Sequence, residues 1–228
     1  MRIATWNVNS IRARADRVLA WLERSDIDVL AIQETKCRDD QFPGLAFEAL
    51  GYEVAHLGRS QWNGVAIVSR VGLDAVATQF PGQPEWGTPP EVEARALGAT
   101  CGGVRVWSVY VPNGRTLDDP HYDYKLHWLS QLRTAAADWL SEDPAAQLLL
   151  AGDWNIAPTD EDVWDISRFT HSTHVSAPER AAFNAFTPLG FSDLVRPYAP
   201  GPGTYTYWDY TRLRFARREG MRIDFVLG

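Results

Sequence analysis

LLLAGDWNIAPTD, residues 148–160, is the stretch on which the reading of this chain turns. Four apolar residues, Leu148 to Ala151, run into Gly152, after which Asp153 and Asn155 stand two positions apart with Trp154 between them. Positions i and i+2 of an extended strand share one face, so Asp153 and Asn155 address one target if the strand persists that far, while Trp154 packs on the other side. The same letters also suit a turn in which Asp and Asn bond the local backbone.

Working outward, other apolar runs stop at polar groups of the same kind. Asn7 follows IATW, Glu34 follows VLAIQ, Asp224 lies inside RIDFVL, and Tyr110 in VWSVYVPN is followed by Asn113. Taken singly, each has a local explanation: a turn, or a buried carboxylate paired with an arginine. Taken together they are harder to place, because burying several carboxylates costs on the order of several kcal/mol unless partners or metals compensate. The residue types suit hard-cation catalysis. Glu34 and Asn9, with Asn7 beside them, offer oxygen to Mg²⁺. Asp153 is placed to orient or deprotonate a water, and Asn7, Asn155 and Tyr110 to donate to phosphoryl oxygens as charge develops. This is the chemistry of phosphodiester hydrolysis.

The remaining pattern gives the frame. RIATWN reads as a first strand, after which Ser10 caps a helix with Ile11, Ala15, Val18, Leu19 and Leu22 on one face. DVLAIQE is a buried strand; YEVAHL, GVAIVSR, RALGATC and VRVWSVYV follow as a meander. A long helix turns Tyr122, Leu126, Leu129, Leu132, Ala136 and Leu140 inward and leads to QLLLAGD. PERAAFNAF has proline at a helix start, and TYTYW and MRIDFVL read as strands. Strands mixed with a few helices, without strict βαβ alternation, predict an α/β architecture of two packed sheets with helices outside. No repeat or linker divides residues 1–228, so one domain is expected, with loops at 81–90 and 197–203.

Composition narrows the function classes. With 228 residues, 45% of them hydrophobic, the chain can close one large core. No apolar run approaches the roughly 20 residues of a membrane span, and the N-terminus has no signal-peptide core, which predicts a cytoplasmic protein. Cys37 and Cys101 match no metal or redox spacing and are read as free thiols. A net charge of −7 argues against a broadly cationic surface, yet arginines cluster at 12, 14 and 17 and again at 212, 214, 217, 218 and 222. Arginine suits bidentate phosphate contact.

These residues, in this order, resemble the exonuclease III family of apurinic/apyrimidinic endonucleases, within the endonuclease/exonuclease/phosphatase superfamily. The match runs from TWNVNSIRAR through DVLAIQETK, GVAIVSR, VYVPNG, AGDWNIAPTDEDVWD and YTYWDYTR to GMRIDFVL. The resemblance implies a deoxyribonuclease I-like four-layer sandwich whose two sheets are mostly antiparallel. It implies Mg²⁺ or Mn²⁺ dependence and cleavage 5′ to abasic sites in double-stranded DNA, with 3′–5′ exonuclease and 3′-phosphatase activity at 3′ ends, in a monomer serving base excision repair. By position, Asn7, Tyr110, Asp153, Asn155 and Asp224 match catalytic residues, Glu34 the metal-binding glutamate, and Asn9 a position where some relatives carry aspartate. Tyr207, Trp208, Met221 and Ile223 fall where relatives shape the pocket for an extruded abasic sugar, and Asn113, Arg115, Lys125 and Arg212 are read as DNA contacts.

The family pattern continues past the RID strand to a Ser-Asp-His-Ala-Pro segment whose histidine pairs with the aspartate. This sequence ends at Gly228, so the expectation is a C-terminally incomplete chain that lacks one strand and is poorly active. Its own histidines are read as surface residues, with His174 ordering a loop. Two other readings stand beside the nuclease: a related phosphoesterase on a non-DNA phosphate, and a truncated, non-catalytic DNA-binding module. A calcineurin-type metallophosphatase needs metal-ligand histidines in contexts that this sequence does not offer.

Overall fold

The structure, a computed structural model, describes residues 1–228 apart from Arg212. The chain opens with β1 (Ile3–Asn7), α1 (Ala15–Ser25) and β2 (Val29–Gln33), then α2 (Gly44–Glu48), β3 (Glu53–Leu57) and β4 (Val65–Ser69). These strands form a sheet in the order β1-β2-β4-β3, parallel between β1 and β2 and antiparallel elsewhere. Every residue of β2 and β4 is buried, which explains why they read as continuous apolar runs rather than alternating ones. Val18 and Leu22 of α1 and Phe47 of α2 cover one face against Leu30, Ile32, Ala66 and Val68.

The second sheet is built from β5 (Asp74–Ala77), β8 (Ala96–Cys101), β9 (Val104–Tyr110), β10 (Leu148–Asp153) and β11 (Asp224–Leu227), in the order β11-β10-β9-β8-β5. A two-residue ladder, β6 (Glu85–Trp86) with β7 (Glu91–Val92), lies in the connection before β8. The long helix α3 (Pro120–Glu142) makes β9 and β10 a parallel pair, and α4 (Ala177–Asn184) covers the sheet beside it. Trp107, Val109, Leu150, Trp154 and Phe225 pack there against Trp128, Leu132 and Phe183. The short helix α5 (Arg214–Arg217) precedes β11.

The two sheets meet face to face through Val29, Val65 and Ile67 on one side and Leu97, Ala99 and Val106 on the other. The layers are therefore helix, sheet, sheet, helix, as expected, and the pairing is mostly antiparallel. Toward one end this apolar interface gives way to a polar seam. Gln33 Nε2 donates to Ser108 Oγ at 3.0 Å, and Ser108 Oγ donates to the Ile32 carbonyl at 3.0 Å.

Four local expectations need correction. α1 starts at Ala15 behind Arg14, not at Ser10, whose backbone is left-handed and whose N–H bonds the Glu34 carbonyl at 2.7 Å. The expected meander is split, with β3 and β4 in one sheet and β8 and β9 in the other. TYTYW forms no strand; Tyr207 makes only an isolated bridge to Met221. Finally, β10 stops at Asp153, so Asn155 is not its extended i+2 partner and sits at φ 50.

Candidate active site

Parallel pairing brings like strand ends together, and that decides where the polar residues go. β1 and β2 deliver Asn7 and Glu34 to one end of the first sheet; β9 and β10 deliver Tyr110 and Asp153 to the matching end of the second. β11 runs the other way, so its first residue, Asp224, pairs directly with Asp153. The sheets are joined at this point by Asn7, whose Nδ2 donates to Glu34 Oε1 and to Asp153 Oδ2, both at 2.8 Å.

Asp153 Oδ1 accepts from the Asn155 backbone N–H at 2.8 Å. The stretch is thus both a turn and a site: Asp153 bonds the local backbone with one oxygen and reaches across the sheets with the other. Asn155 Nδ2 donates to the Val111 carbonyl at 2.9 Å, and its Oδ1 accepts from Asn113 Nδ2 at 3.2 Å. Gly152 is needed for close approach, because a Cβ there would stand 1.9 Å from the Val109 carbonyl oxygen of β9. Trp154 turns away and packs edge-on against Phe183 and Phe186, as expected.

Burial sets the protonation of this cluster. It pushes the Asp153 carboxyl up to about 7, with the Glu34 charge adding to the rise and hydrogen bonds from Asn7 and Asn155 opposing it. Asp224 is raised well above the ordinary carboxylate range by burial and by the charge of Asp153, and its Oδ1 is buried without a hydrogen-bond partner. Burial acts on Glu34 too, but hydrogen bonds from Asn7, Lys36 and Tyr110 hold it below its usual value. Tyr110 is pushed strongly upward by burial and by Glu34, so it remains a neutral hydroxyl donor.

A hard cation fits the oxygen donors on the first sheet's side. Glu34 Oε2 lies 2.7 Å from Lys36 Nζ, and the same ammonium donates to Asn9 Oδ1. A cationic group is thus already seated between the two oxygens expected to serve a metal. Glu34 and Lys36 have left-handed backbones, at φ 54 and φ 51, held by bonds from Thr35 N to the Gly64 carbonyl and from Lys36 N to the Asn63 carbonyl. Among the described residues no group of three His, Cys, Asp or Glu side chains is gathered closely enough to form a cage. Mg²⁺ does not require one, since it is commonly held by one or two carboxylates and keeps several waters.

A cavity of about 820 Å³ opens beside the cluster, lined by Asn7, Glu34, Asp153, Asp224, Trp208 and Ile223 among others. A second cleft of about 690 Å³ adjoins it; Tyr207 and Arg214 line both, while Arg115, Arg217, His174 and Met221 line the second. The expected pocket and contact residues therefore border these clefts, with three exceptions. Asn113 lines neither cleft and instead donates to Asn155 Oδ1. Arg212 lies outside the described residues. Lys125 is wholly buried and ion-paired to Glu179 at 2.5 Å, so it cannot touch phosphate. Its position on the inward face of α3 puts it behind the site rather than on its surface.

Of the histidines, His127 and His171 are exposed as expected, while others depart from that reading. His121 is buried, the His56 side chain is 6% exposed, and His174 reaches the site through Asn155 Oδ1, 3.2 Å from its Nε2. Among the described residues no histidine is bonded to Asp224. Sequence reading also missed Tyr210, whose hydroxyl stands 3.3 Å from both Asn9 Nδ2 and Arg14 Nη2. No periodicity marks a loop tyrosine that returns to a distant N-terminal turn. Glu179 was hidden for another reason: Ser176 and Glu179 form a capping box, a sufficient local role for both.

Comparison with known proteins agrees with this geometry. A family model described as "Endonuclease/Exonuclease/phosphatase family" matches residues 4–228. An exodeoxyribonuclease of Bacillus subtilis is 30% identical over 233 residues, spanning 100% of this chain and 87% of that protein. A structure of the 3′ phosphatase NExo from Neisseria, bound to a product DNA hairpin, superposes with a TM-score of 0.91 at 36% identity, covering 100% of this chain and 86% of that one. An AP endonuclease from Archaeoglobus fulgidus gives a TM-score of 0.91 at 33% identity with the same coverage. The strand-end cluster, the sandwich and these likenesses coincide over the whole length described: the chain belongs to the endonuclease/exonuclease/phosphatase family, as a nuclease of the exonuclease III type.

Proposed function

We propose that the chain hydrolyses DNA phosphodiesters 5′ to abasic sites and removes nucleotides or phosphate from 3′ ends, as a cytoplasmic monomer dependent on Mg²⁺ or Mn²⁺. The observation that carries this reading is the Asn7 amide bridging Glu34 and Asp153 across the two sheets, with the unpartnered Asp224 oxygen beside them. Such a cluster joins a place for a cation, a carboxylate that titrates near neutral pH, and neutral amide and phenol donors.

In this reading Asp153 takes the proton from, or orients, the attacking water; its raised pKa makes it a usable base near pH 7. The spare N–H of Asn155 offers a hydrogen bond to a non-bridging oxygen as charge develops, while Asn7 and the Tyr110 hydroxyl, whose protons are already given to Glu34 and Asp153, would serve the phosphate only by exchanging those bonds. Glu34 and Asn9 would hold the metal, which supplies charge neutralisation at the phosphate. Asp224, raised by burial and by the Asp153 charge, stands beside Asp153, and the resemblance assigns it the role of holding a histidine. Tyr207, Trp208, Met221 and Ile223 line the clefts that would accept the extruded sugar, and Asn113 and Arg115 would contact the strand.

The test is cleavage of an end-labelled abasic duplex, an intact duplex and a 3′-phosphate end, with p-nitrophenyl phosphate as the small-substrate comparison. We expect cleavage of the DNA substrates with Mg²⁺, none with EDTA, and a loss of roughly 10²–10⁴-fold in Asp153→Asn, the usual contribution of a positioned general base. Salt-sensitive DNA binding without cleavage would favour the binding module, and a preference for the small phosphoester would favour the non-DNA phosphoesterase.

A further inference from the structure

Lys125 is a buried lysine whose ammonium has three protons and three acceptors. It donates to the Asn155 backbone carbonyl at 2.7 Å, to the Asn113 backbone carbonyl at 3.2 Å and to Glu179 Oε1 at 2.5 Å. Glu179 is equally buried and equally occupied: Oε1 also accepts from His174 N at 2.8 Å, and Oε2 from Ser176 Oγ at 2.5 Å and Ser176 N at 3.2 Å. One ion pair thereby ties α3 and α4 to the three separate loops that carry Asn113, Asn155 and His174.

The side chains of those three residues meet. Asn155 Oδ1 lies 3.2 Å from Asn113 Nδ2 and 3.2 Å from His174 Nε2, and the two nitrogens are 3.3 Å apart. Two donors sharing one acceptor explain this triangle, whereas an unprotonated Nε2 would set two lone-pair atoms against each other. His174 Nδ1 then accepts from Thr173 Oγ1 at 2.8 Å. Asn113 is fixed in the same sense, because its Oδ1 accepts from Arg115 N at 3.1 Å. With Oδ1 of Asn155 held from two sides and one Nδ2 proton on Val111, the second Nδ2 proton has no acceptor among the described residues.

Stability alone does not call for this arrangement. An apolar pair of similar volume commonly packs as well as a buried ion pair or better. Apolar side chains cannot hold two carbonyls from two loops in fixed register. Asn155 and His174 also have left-handed backbones, at φ 50 and φ 76, which need such restraint.

We propose that Lys125, Glu179 and His174 are positioning residues that lock the Asn155 carboxamide with its free N–H available to the phosphate. This rests on the nuclease reading, and the experiment separates the two. Lys125→Met/Glu179→Leu replaces the pair by apolar side chains; it should melt within a few degrees of wild type yet lose at least tenfold in kcat, with KM on duplex DNA within about twofold. His174→Phe should lose kcat in the same way and His174→Gln, which keeps an N–H donor, should regain most of it. A double variant or His174→Phe with wild-type kcat overturns the proposal; if the double variant does not fold, the two His174 variants decide. Imidazole ¹⁵N NMR of the wild type reads the geometry without activity: Nε2-protonated His174 supports the lock, and the Nδ1-protonated tautomer overturns it. Wild type that cleaves no DNA would instead refute the functional reading and leave this NMR result standing.

Discussion

Asp153 concentrates the chemistry of the site, and its environment predicts a pH dependence. If it acts as a base it must be ionised, so kcat/KM should rise through an acid limb centred near pH 7, where burial and Glu34 place its carboxyl. The Asn7 amide stabilises the charged form; Asn7→Leu should therefore move the limb to higher pH as well as lower the plateau. A pH–rate profile on 3′-end digestion of a duplex measures both, and a limb that stays near pH 4 in wild type would contradict the assignment. Lys36 gives a second prediction at this scale. Its ammonium is seated between Glu34 Oε2 and Asn9 Oδ1, so a divalent cation must displace it. Lys36→Met should bind Mn²⁺ severalfold more tightly, read by the loss of the free Mn²⁺ EPR signal. Unchanged or weaker binding would mean that the metal sits elsewhere.

At the scale of elements, the parallel pair β9–β10 is what brings Tyr110 and Asp153 side by side. Its spacing depends on Gly152. Because an added Cβ would meet backbone rather than a flexible side chain, Gly152→Ala must push the two strands apart. The cost should be about 3 kcal/mol, as for other overpacked cores, lowering Tm by roughly 6–12 °C for a domain of this size. Activity should fall further than stability, since Asp153 moves with the strand. Gly44→Ala in α2 is the control: the nearest atom to its Cβ would be Glu48 Oε1 at 4.0 Å, and no loss of Tm is expected. Most of these elements were legible from the order of apolar runs. β5 and the β6–β7 ladder were not, because short exposed strands carry no hydrophobic pattern; β5 is exposed at Asp74, Ala75 and Val76. TYTYW shows the reverse case, where β-favouring residues line a cavity and pair only through the single bridge of Tyr207 to Met221.

Over the whole molecule, buried titratable groups pull stability in opposite directions. Burial and the Lys125 charge lower the His174 pKa to about 4, and burial with the Arg95 and Arg115 charges lowers His121 to about 4. Both imidazoles bind protons more readily unfolded, so their contribution is present above about pH 6.5 and is lost as pH falls toward 4. Asp153 and Asp224 have the opposite sign. Their folded pKa values are raised, so stability is fullest at low pH and declines as pH rises through the folded pKa, near 7 for Asp153. Metal-free protein should therefore melt highest at mildly acidic pH. A divalent cation offsets the carboxylate charge and should raise Tm more at pH 8 than at pH 6. Equal shifts at the two pH values in differential scanning fluorimetry would argue against a cation at this cluster. No helix among the described residues is long and apolar enough to cross a membrane.

The sequence by itself determined which strands end in polar groups and therefore most of the candidate site: Asn7, Glu34, Tyr110, Asp153 and Asp224 are where an apolar run meets an amide, phenol or carboxylate. These are local facts, fixed by neighbours a few residues away. Only the tertiary structure decided which of them share a hydrogen bond, because Asn7 and Asp153 are 146 positions apart and meet through sheet packing. It also decided the fates of Lys125 and His174. A lysine or histidine on a helix or loop has the same letters whether it faces water, phosphate or a buried carboxylate. The choice is made by the desolvation and pairing that packing imposes.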